Sequence, residues 1–146
     1  MLESFHRFPF DLFDLRERLS RFMPIHKRVL CVDDNIDTCA LVTEMLTEWD
    51  VIPEHSVGEG LRRAATEKFD LILLDYHLPD GVGLDLCRKV RSFDATTPIL
   101  MVTVTHSINH DEVLAAGGQG VIRKDHLIHV LPAAIANALE LRLTSF

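Results

Sequence analysis

Residues 71–91, LILLDYHLPDGVGLDLCRKVR, give the clearest indication of the fold of this chain. Residues 71–74 are a continuous aliphatic run, which predicts a β-strand that is buried on both faces and ends on Asp75. Turn residues then predict a loop over 76–82. A buried strand, a loop and an amphipathic helix together form the repeating unit of parallel α/β folds. The helix is indicated by apolar residues at helical spacing, namely Leu86, Cys87, Val90 and Phe93.

Four similar strands are predicted around this stretch. Residues 29–32 and 51–55 precede it, and the second of these is interrupted by a proline, which suits a strand at the edge of a sheet. Residues 99–103 and 121–124 follow it and are again short apolar runs. Because helical segments alternate with these strands, we expect one α/β domain over residues 28–146.

Helices are predicted between the strands from their apolar spacing. The first has an N-cap in Asp34 or Asn35, and its apolar face comprises Val42, Met45, Leu46 and Trp49. Residues 110–116 form a short helix that ends at two glycines. Residues 127–143 contain Pro132, so we expect an initial turn and then a main helix that starts near this proline.

These elements predict an α/β fold, a doubly wound five-stranded parallel sheet with helices on both faces. We apply the flavodoxin-like strand order 2-1-3-4-5, which is common in open sheets of this kind. In that order the first and third strands are neighbours at the point where the strand order reverses. Ligands bind beyond the carboxyl ends of the strands at this switch point. The residues that follow strands one and three are therefore the first candidates for a functional site.

Residues 1–27 stand apart as an N-terminal amphipathic extension that contains five of the eight phenylalanines. An extra N-terminal helix is predicted there, with Asp11 as its N-cap. Its apolar face comprises Leu12, Leu15, Leu19 and Phe22. Such a helix packs on its own domain or on a second copy of the chain, and an output partner or a membrane surface is the alternative.

The composition is that of an ordinary globular protein, with 47% hydrophobic and 25% charged residues among 146. The net charge of −7 repels nucleic-acid phosphates, so we expect no nucleic-acid binding. Three cysteines at irregular spacing form no disulfide framework, and the longest apolar run is too short to cross a bilayer. Acidic residues interrupt the N-terminus, which therefore lacks the apolar core of a secretory signal. We expect a cytoplasmic protein without membrane insertion.

Carboxylates follow both strands that meet at the predicted switch point. Asp33 and Asp34 follow the first strand, and Asp75 ends the third. Three carboxylates held together repel one another, so they need either protonation or a cation. Mg²⁺ binds one or two carboxylates, keeps several waters and shares phosphate oxygens. Thr103 and Lys124, which end strands four and five, would add the donor and the positive charge that a transferring phosphoryl group requires.

The sequence closely resembles response-regulator receiver domains in four signature segments. They are VLCVDDN at 29–35, the stretch at 71–91, PILMVT at 98–103 and GGQGVIRK at 117–124. The resemblance covers about residues 28–143. It implies a phosphoacceptor of a two-component phosphorelay, which receives a phosphoryl group from a sensor histidine kinase or a phosphotransfer protein and signals through protein contacts. Such a receiver promotes only its own phosphorylation and dephosphorylation, so the resemblance implies a signalling domain and not an enzyme.

The resemblance also implies a role for each acidic residue. Asp75 matches the phosphoacceptor aspartate and Asp34 the direct ligand of Mg²⁺. Asp33 matches the acidic partner that acts largely through water. The backbone carbonyl of His77 is implied as a further metal ligand.

The remaining site residues match the family pattern, but three neighbours depart from it. Thr103 matches the hydroxyl residue that contacts the phosphoryl group, and Lys124 matches the lysine that pairs with it. Val104 replaces a small residue, which implies slower access to the phosphoacceptor. Val121 replaces the aromatic switch residue, so the usual coupling of threonine and aromatic rotamers cannot operate. Asp125 replaces a proline, which removes the ordinary reason for a cis peptide bond; this junction resembles a receiver subtype associated with sensor kinases or phytochromes.

Other functions stay open as alternatives. Val104 and Val121 favour an interaction scaffold that signals without phosphorylation. A phosphatase of the haloacid-dehalogenase type needs a second aspartate two positions after the nucleophile, where this chain has His77. A DNA-binding output needs a helix-turn-helix module, and the fewer than about ten residues after the last predicted helix are too few for one. Two histidine pairs lack metal-ligand partners and favour solvated or capping roles: His106 with His110, and His126 with His129.

The downstream partner is not encoded in any recognisable motif. The last predicted helix is apolar on two faces, and only one of them can meet the sheet. We therefore expect a homodimer built from the last helix, the N-terminal helix, or both.

Overall fold

The aliphatic run at residues 71–74 is the middle strand of a five-stranded sheet in the computed structural model, which describes residues 27–144. Seven strands follow one another along the chain: β1 (Lys27–Val32), β2 (Trp49–Glu54), β3 (Leu71–Leu74), β4 (His77–Leu78), β5 (Gly81–Val82), β6 (Ile99–Thr103) and β7 (Gly120–Arg123). The helices are α1 (Ile36–Met45), α2 (Val57–Thr66), α3 (Gly83–Arg91), α4 (His110–Ala116) and α5 (Leu127–Thr144). The predicted N-terminal helix lies outside the described residues and stays a prediction.

The five longer strands are parallel and lie in the order β2-β1-β3-β6-β7. Because β4 and β5 pair only with each other, this is the predicted order 2-1-3-4-5. The flavodoxin-like fold is therefore confirmed. β2, which contains Pro53, lies at an edge of the sheet, as its sequence predicts.

Two apolar cores lie on opposite faces of this sheet, which confirms the doubly wound architecture. In β1, Leu30 and Val32 belong to one core, whereas Val29 and Cys31 belong to the other. Helices α2, α3 and α4 cover the first face, and α1 and α5 cover the second. Because both faces are covered, every residue of β3 is buried, and its sequence is accordingly aliphatic throughout.

The first helix ends earlier than its apolar pattern predicts. Asn35 is the N-cap, one of the two predicted candidates. α1 ends at Met45, and Leu46 leaves helical geometry with φ −109° and ψ 59°. Trp49, which we expected on the helix face, instead begins β2 and pairs with Lys27 of β1. Sheet pairing therefore overrides the helical spacing at this residue.

The third helix also ends before its predicted pattern is complete. α3 stops at Arg91, and Phe93, predicted on the buried side, is 49% exposed. The carboxylate of Asp94 accepts hydrogen bonds from the backbone N–H groups of Thr96 and Thr97, both at 3.0 Å. This turn redirects the chain toward β6 and leaves Phe93 outside the helix.

The last helix begins earlier than predicted and continues through its proline. α5 runs unbroken from Leu127, so the expectation that the main helix starts near Pro132 was wrong. Leu127 and Leu131 lie one helical turn apart, and both are buried against the sheet. Burial of this pair outweighs the backbone hydrogen bond that is lost at Pro132, whose side chain is exposed.

The loop predicted at 76–82 contains a short antiparallel hairpin that was not predicted from the sequence. β4 and β5 form it, with Pro79 and Asp80 between them. The Asp80 carboxylate accepts hydrogen bonds from the backbone N–H groups of Val57 and Gly58, at 2.7 and 2.9 Å. The first turn of α2 therefore holds the hairpin in place.

β7 ends at Arg123, one residue before its predicted end, and Lys124 begins a turn of 3₁₀ helix that leads into α5. No peptide bond in residues 27–144 is cis, as expected with Asp125 in place of proline. Over the same residues, no helix combines the length and the apolar character that a bilayer crossing requires.

Candidate functional site

Three carboxylates meet where the strand order of the sheet reverses. β1 leads directly into Asp33 and Asp34, and β3 leads directly into Asp75. Val32 pairs with Leu74 in the sheet, which brings the residues that follow them to the same level. One oxygen from each of the three carboxylates lies within 4.8 Å of the others. The structure thus brings together the acidic residues that the sequence singled out.

Asp33 is 2% exposed, and its neighbours fix the orientation of its side chain. Its Oδ1 accepts a hydrogen bond from the backbone N–H of Asn35 at 2.9 Å. Its Oδ2 lies 2.7 Å from Lys124 Nζ in an ion pair, although no donor in the described part of the chain forms a well-directed hydrogen bond with this atom. His55 Nδ1 lies 2.8 Å from the Asp33 carbonyl oxygen. Asp33 is therefore buried and held in one orientation, and its Oδ2 lacks a well-directed hydrogen bond from the described residues.

Lys124 supplies the positive charge at this cluster. Its Nζ lies 2.7 Å from Asp33 Oδ2 and 3.3 Å from Asp75 Oδ2. Burial by itself would lower the pKa of Lys124, but contact with Asp33 and the charges of Asp33 and Asp75 outweigh burial and raise that pKa. The ammonium group is therefore charged at neutral pH and offsets part of the negative charge around it.

Asp75 is 6% exposed, and its carboxylate is held from two sides. Its Oδ1 accepts a hydrogen bond from the backbone N–H of Tyr76 at 2.8 Å, and its Oδ2 accepts one from Lys124 at 3.3 Å. Burial is the main cause that raises the pKa of Asp75, to about 6, and the negative charge of Asp33 is the second. Lys124 lowers this pKa but does not outweigh the two. Asp75 is therefore mostly ionised at pH 7, as a carboxylate nucleophile must be.

Thr103 lies at the same rim of the sheet. It is fully buried at the carboxyl end of β6, which neighbours β3. In the sheet register it stands opposite Arg123, the residue before Lys124. Its Oγ1 accepts a hydrogen bond from the backbone N–H of Thr105 at 3.1 Å, so the hydroxyl acts as an acceptor in this contact. The hydroxyl proton is not used in this hydrogen bond.

The oxygen atoms of the cluster fit a hard divalent cation. Three carboxylates face one ammonium group, so an excess of negative charge remains at neutral pH. The buried Asp33 Oδ2 has a lone pair with no directed hydrogen bond from the described residues. Mg²⁺ takes oxygen ligands and commonly uses one or two carboxylates with several waters. Asp33, Asp34 and Asp75 therefore suit Mg²⁺, and the His77 carbonyl stays a predicted ligand.

Val104 directly follows β6 and Val121 lies within β7, and both depart from the family pattern. Val104 is 65% exposed at the end of β6. Val121 is half-buried in β7 and packs against the core that α2, α3 and α4 cover. The side chain of His77 is exposed and meets the ring of Tyr76 edge to face, with 4.7 Å between the ring centroids.

No histidine joins a group of three potential metal ligands among residues 27–144. His106 Nε2 instead lies 2.7 Å from a guanidinium nitrogen of Arg123. His110 is the first residue of α4, after its N-cap Asn109. Both side chains are exposed, in agreement with the solvated role predicted for this pair.

Two contacts around the site were not predicted. His55 on the segment after β2 approaches the carbonyl oxygen of Asp33, and nothing in the local sequence indicates a contact between such distant residues. The second contact joins the Asp80 carboxylate to the first turn of α2. It holds in place the hairpin that contains His77 and that follows Asp75 in the chain. The sequence Pro79-Asp80-Gly81 is a typical turn, so this second contact had a detectable signal.

The fold and the site together define a class, a flavodoxin-like domain with an acidic pocket and a lysine at the switch point of its parallel sheet. The family model of the response regulator receiver domain matches residues 29–136. The chain belongs to this family.

Several curated response regulators are similar to the chain. The response regulator protein PilR of Pseudomonas aeruginosa is 34% identical over 119 residues, which are 80% of this chain and 27% of PilR. The response regulator ArlR of Staphylococcus saprophyticus is 35% identical over 117 residues, which are 77% of this chain and 52% of ArlR. The chain thus spans between 27% and 52% of the length of these relatives.

Solved structures of receiver domains share the fold. A CheY-like response regulator receiver domain protein from Methanospirillum hungatei JF-1 has a TM-score of 0.74 at 30% identity, over 83% of this chain and 99% of that one. The chemotaxis protein CheY4 of Vibrio cholerae has a TM-score of 0.72 at 29% identity, over 78% of this chain and 99% of that one. The similarity therefore extends over nearly the whole of each solved domain.

Proposed function

We propose that this chain is the phosphoacceptor of a two-component phosphorelay and that Asp75 receives the phosphoryl group. The observation that carries the proposal is the Asp75 carboxylate, which is nearly buried, ionised at neutral pH and 3.3 Å from the ammonium group of Lys124. Membership of the receiver family supports the same role. The donor in this proposal is a sensor histidine kinase or a phosphotransfer protein.

The transfer needs a nucleophile, positive charge and a hydrogen-bond donor. One carboxylate oxygen of Asp75 forms a bond to phosphorus while the bond from phosphorus to the donor's histidine nitrogen breaks, and the electron pair of that bond stays on the nitrogen. Lys124 places positive charge beside the phosphoryl oxygens, and the hydroxyl of Thr103 donates a hydrogen bond to one of them. These residues act on the chain's own phosphoryl group, so the proposed role is signalling and not turnover of a separate substrate.

The acidic residues beside the nucleophile supply the metal site in this proposal. Asp33 and Asp34 hold Mg²⁺ together with Asp75, and the backbone carbonyl of His77 is the further ligand that we propose. Mg²⁺, when bound, neutralises charge on the phosphoryl oxygens during transfer. Asp33 also forms an ion pair with Lys124, so in this proposal the same carboxylate contacts both Mg²⁺ and the ammonium group.

The output of the proposed regulator is protein contact in the cytoplasm. We propose a homodimer built from α5, the N-terminal segment, or both. Ile128 on α5 is 60% exposed, which supports a contact through this helix. Light scattering over a range of protein concentrations tests the dimer, and a monomer at the highest concentration would exclude it.

Incubation with a small acyl phosphate and Mg²⁺, followed by intact-mass measurement, tests the phosphoacceptor role. We expect a mass gain of one phosphoryl group that is lost in Asp75→Asn and strongly reduced by a metal chelator. Asp85→Asn is the matched control, because Asp85 is an exposed aspartate on α3 and pairs with Arg88. An equal gain in Asp75→Asn would refute the assignment. No gain in the wild type would favour the alternative, a scaffold that signals without phosphorylation.

A further inference from the structure

A groove of about 230 Å³ lies beside the edge strand β7, between α4 and α5. Its apolar lining comes mainly from Val121 on β7 and from Val130, Ala134 and Ala138 on α5. The residues that line it include no carboxylate, lysine or arginine. The lining also includes His110, Gln119 and Asn137, so the groove combines an apolar floor with a few polar side chains and accommodates apolar side chains.

Two apolar side chains on the helices that border the groove are exposed. Leu114 on α4 is 48% exposed, and Val130 on α5 is 40% exposed. Contiguous apolar surface on a domain marks a place where another surface packs. The groove therefore needs an occupant that presents a row of apolar side chains.

The chain itself contains such a row outside the described residues. The family match begins at residue 29, so residues 1–26 are additional to the receiver domain. The sequence predicts an amphipathic helix over 11–22. Its apolar face consists of Leu12, Leu15, Leu19 and Phe22.

We propose that the segment 11–22 docks its apolar face into the groove of its own chain. The strands β1 and β7 start at the same edge of the parallel sheet and are separated by β3 and β6, hence by about 14 Å. Residues 23–26 connect the segment to β1, and the five residue steps from Phe22 to Lys27 span up to about 17 Å when extended, which exceeds this separation. The linker therefore brings the end of the segment to the groove.

The segment of the same chain is favoured over a second copy by its tether. A short linker gives an attached segment an effective concentration in the millimolar range, far above the micromolar concentration of a second chain in most preparations. The docking leaves Ile128, which does not line the groove, available for contact with another molecule. β7 lines the groove and ends one residue before Lys124, so the docked segment and the phosphoacceptor pocket share a strand.

Photo-crosslinking in the full-length protein tests the docking directly. A photoreactive phenylalanine analogue replaces Leu15 on the apolar face in one sample and Glu17 on the opposite face of the predicted helix in the control. We expect position 15 to crosslink within one chain to the β7 and α5 peptides that line the groove, with a yield that does not change with protein concentration. Position 17 should give a yield several-fold lower.

A substitution in the groove provides the second test. Val130→Arg fills the groove with a charged side chain, whereas Ala133→Arg places the same side chain on an exposed position of α5 outside the lining. We expect Val130→Arg to weaken the docking equilibrium roughly tenfold and Ala133→Arg to leave it unchanged. An unchanged circular dichroism spectrum and an unchanged midpoint of thermal unfolding show that both variants fold.

Two results would overturn the proposal. Crosslinks from position 15 that form only between chains would assign the groove to a second copy. Crosslinks that avoid the β7 and α5 peptides would place the segment elsewhere. Both readouts are independent of phosphorylation, so they do not depend on the role proposed for Asp75.

Discussion

The raised pKa of Asp75 has a consequence for stability that can be measured without a phosphodonor. The pKa of Asp75 is about 6 in the folded protein, whereas an aspartate in the unfolded chain has a pKa of about 3.9. The folded state therefore binds this proton more tightly, and stability is lost as pH rises from about 4 to about 6. Asp75→Asn removes the charge, so we expect it to raise the free energy of unfolding at pH 7 by on the order of 1–3 kcal/mol in the presence of a chelator.

Urea titrations of both proteins at pH 4 and pH 7 check this expectation. The difference between wild type and Asp75→Asn should be small at pH 4, where the wild-type carboxyl is protonated, and full at pH 7. Asp85→Asn, at an exposed aspartate, should show no comparable change. A variant less stable than the wild type at pH 7 would contradict the electrostatic description of the pocket.

Lys124 has the opposite effect on stability, because it compensates two buried carboxylates. Lys124→Gln leaves Asp33, which is 2% exposed, without its cation. We expect a loss of on the order of 3 kcal/mol in the free energy of unfolding under chelating conditions, since breaking a buried ion pair leaves an unpaired charge. Mg²⁺ should restore part of this loss.

The comparison for this prediction is Lys89→Gln at an exposed lysine of α3. Denaturant midpoints of both variants, with and without Mg²⁺, provide the measurement. If Lys124→Gln and Lys89→Gln behaved alike, the ion pair with Asp33 would not contribute to the folded state.

The site residues differ in how far the sequence alone could predict their positions. Asp33, Asp34 and Asp75 directly follow apolar strands, so their convergence needs only the strand order. Lys124 lies one residue beyond β7, in a 3₁₀ turn, yet it still reaches the cluster because its side chain is long. His55 could not be found in this way, because its contact with Asp33 depends on the side-by-side placement of β1 and β2.

The start of α3 is packed directly against the backbone of Asp75. A Cβ atom on Gly83 would collide with the carbonyl oxygen of Asp75 and lie 2.9 Å from Met101 Cε. The Gly83 N–H also donates a hydrogen bond to the carbonyl oxygen of Tyr76 at 2.7 Å. Glycine at this position therefore lets the helix approach the strand end that presents Asp75.

We expect Gly83→Ala to push α3 away from β3, because the backbone carbonyl cannot move aside cheaply. The expected loss is on the order of 2 kcal/mol in the free energy of unfolding, with slower phosphoryl uptake at Asp75. Gly58→Ala is the matched control, since its added Cβ would lie 3.5 Å from Asp80 Oδ2, an ordinary contact. Thermal unfolding and time courses of uptake measure the two effects, and a Gly83→Ala protein with wild-type values in both would contradict the packing argument.

The element boundaries show where local patterns are decisive and where they are overruled. The buried strand β3 is predictable because a strand covered on both faces can only be apolar. The ends of α1 and α3 are not, because Trp49 is recruited into the sheet and the turn at Asp94 redirects the chain before Phe93. Pro132 was misleading for a related reason, since burial of the neighbouring leucines maintains the helix through it.

The acidic cluster exists only when the sheet is formed. Asp34 and Asp75 come from different strands, β1 and β3, which are paired only in the folded protein. A cation that binds the cluster therefore binds the folded state alone, and its binding free energy adds to the stability of the entire domain. At a Mg²⁺ concentration about 100 times its Kd, the expected gain is about 2.7 kcal/mol.

The exposed carboxylate of Asp34 allows this linkage to be tested without disturbing the core. We expect Mg²⁺ to raise the Tm of the wild type and to have little effect on Asp34→Asn, because the variant lacks a carboxylate that the ion needs. Asp37→Asn, at an exposed aspartate in the first turn of α1, should respond to Mg²⁺ as the wild type does. Thermal unfolding of the three proteins in chelator and in rising Mg²⁺ gives the comparison. If Mg²⁺ raised the Tm of Asp34→Asn as much as that of the wild type, the ion would bind elsewhere. A cation that stabilises the folded domain through this cluster must lose affinity when the cluster loses a negative charge.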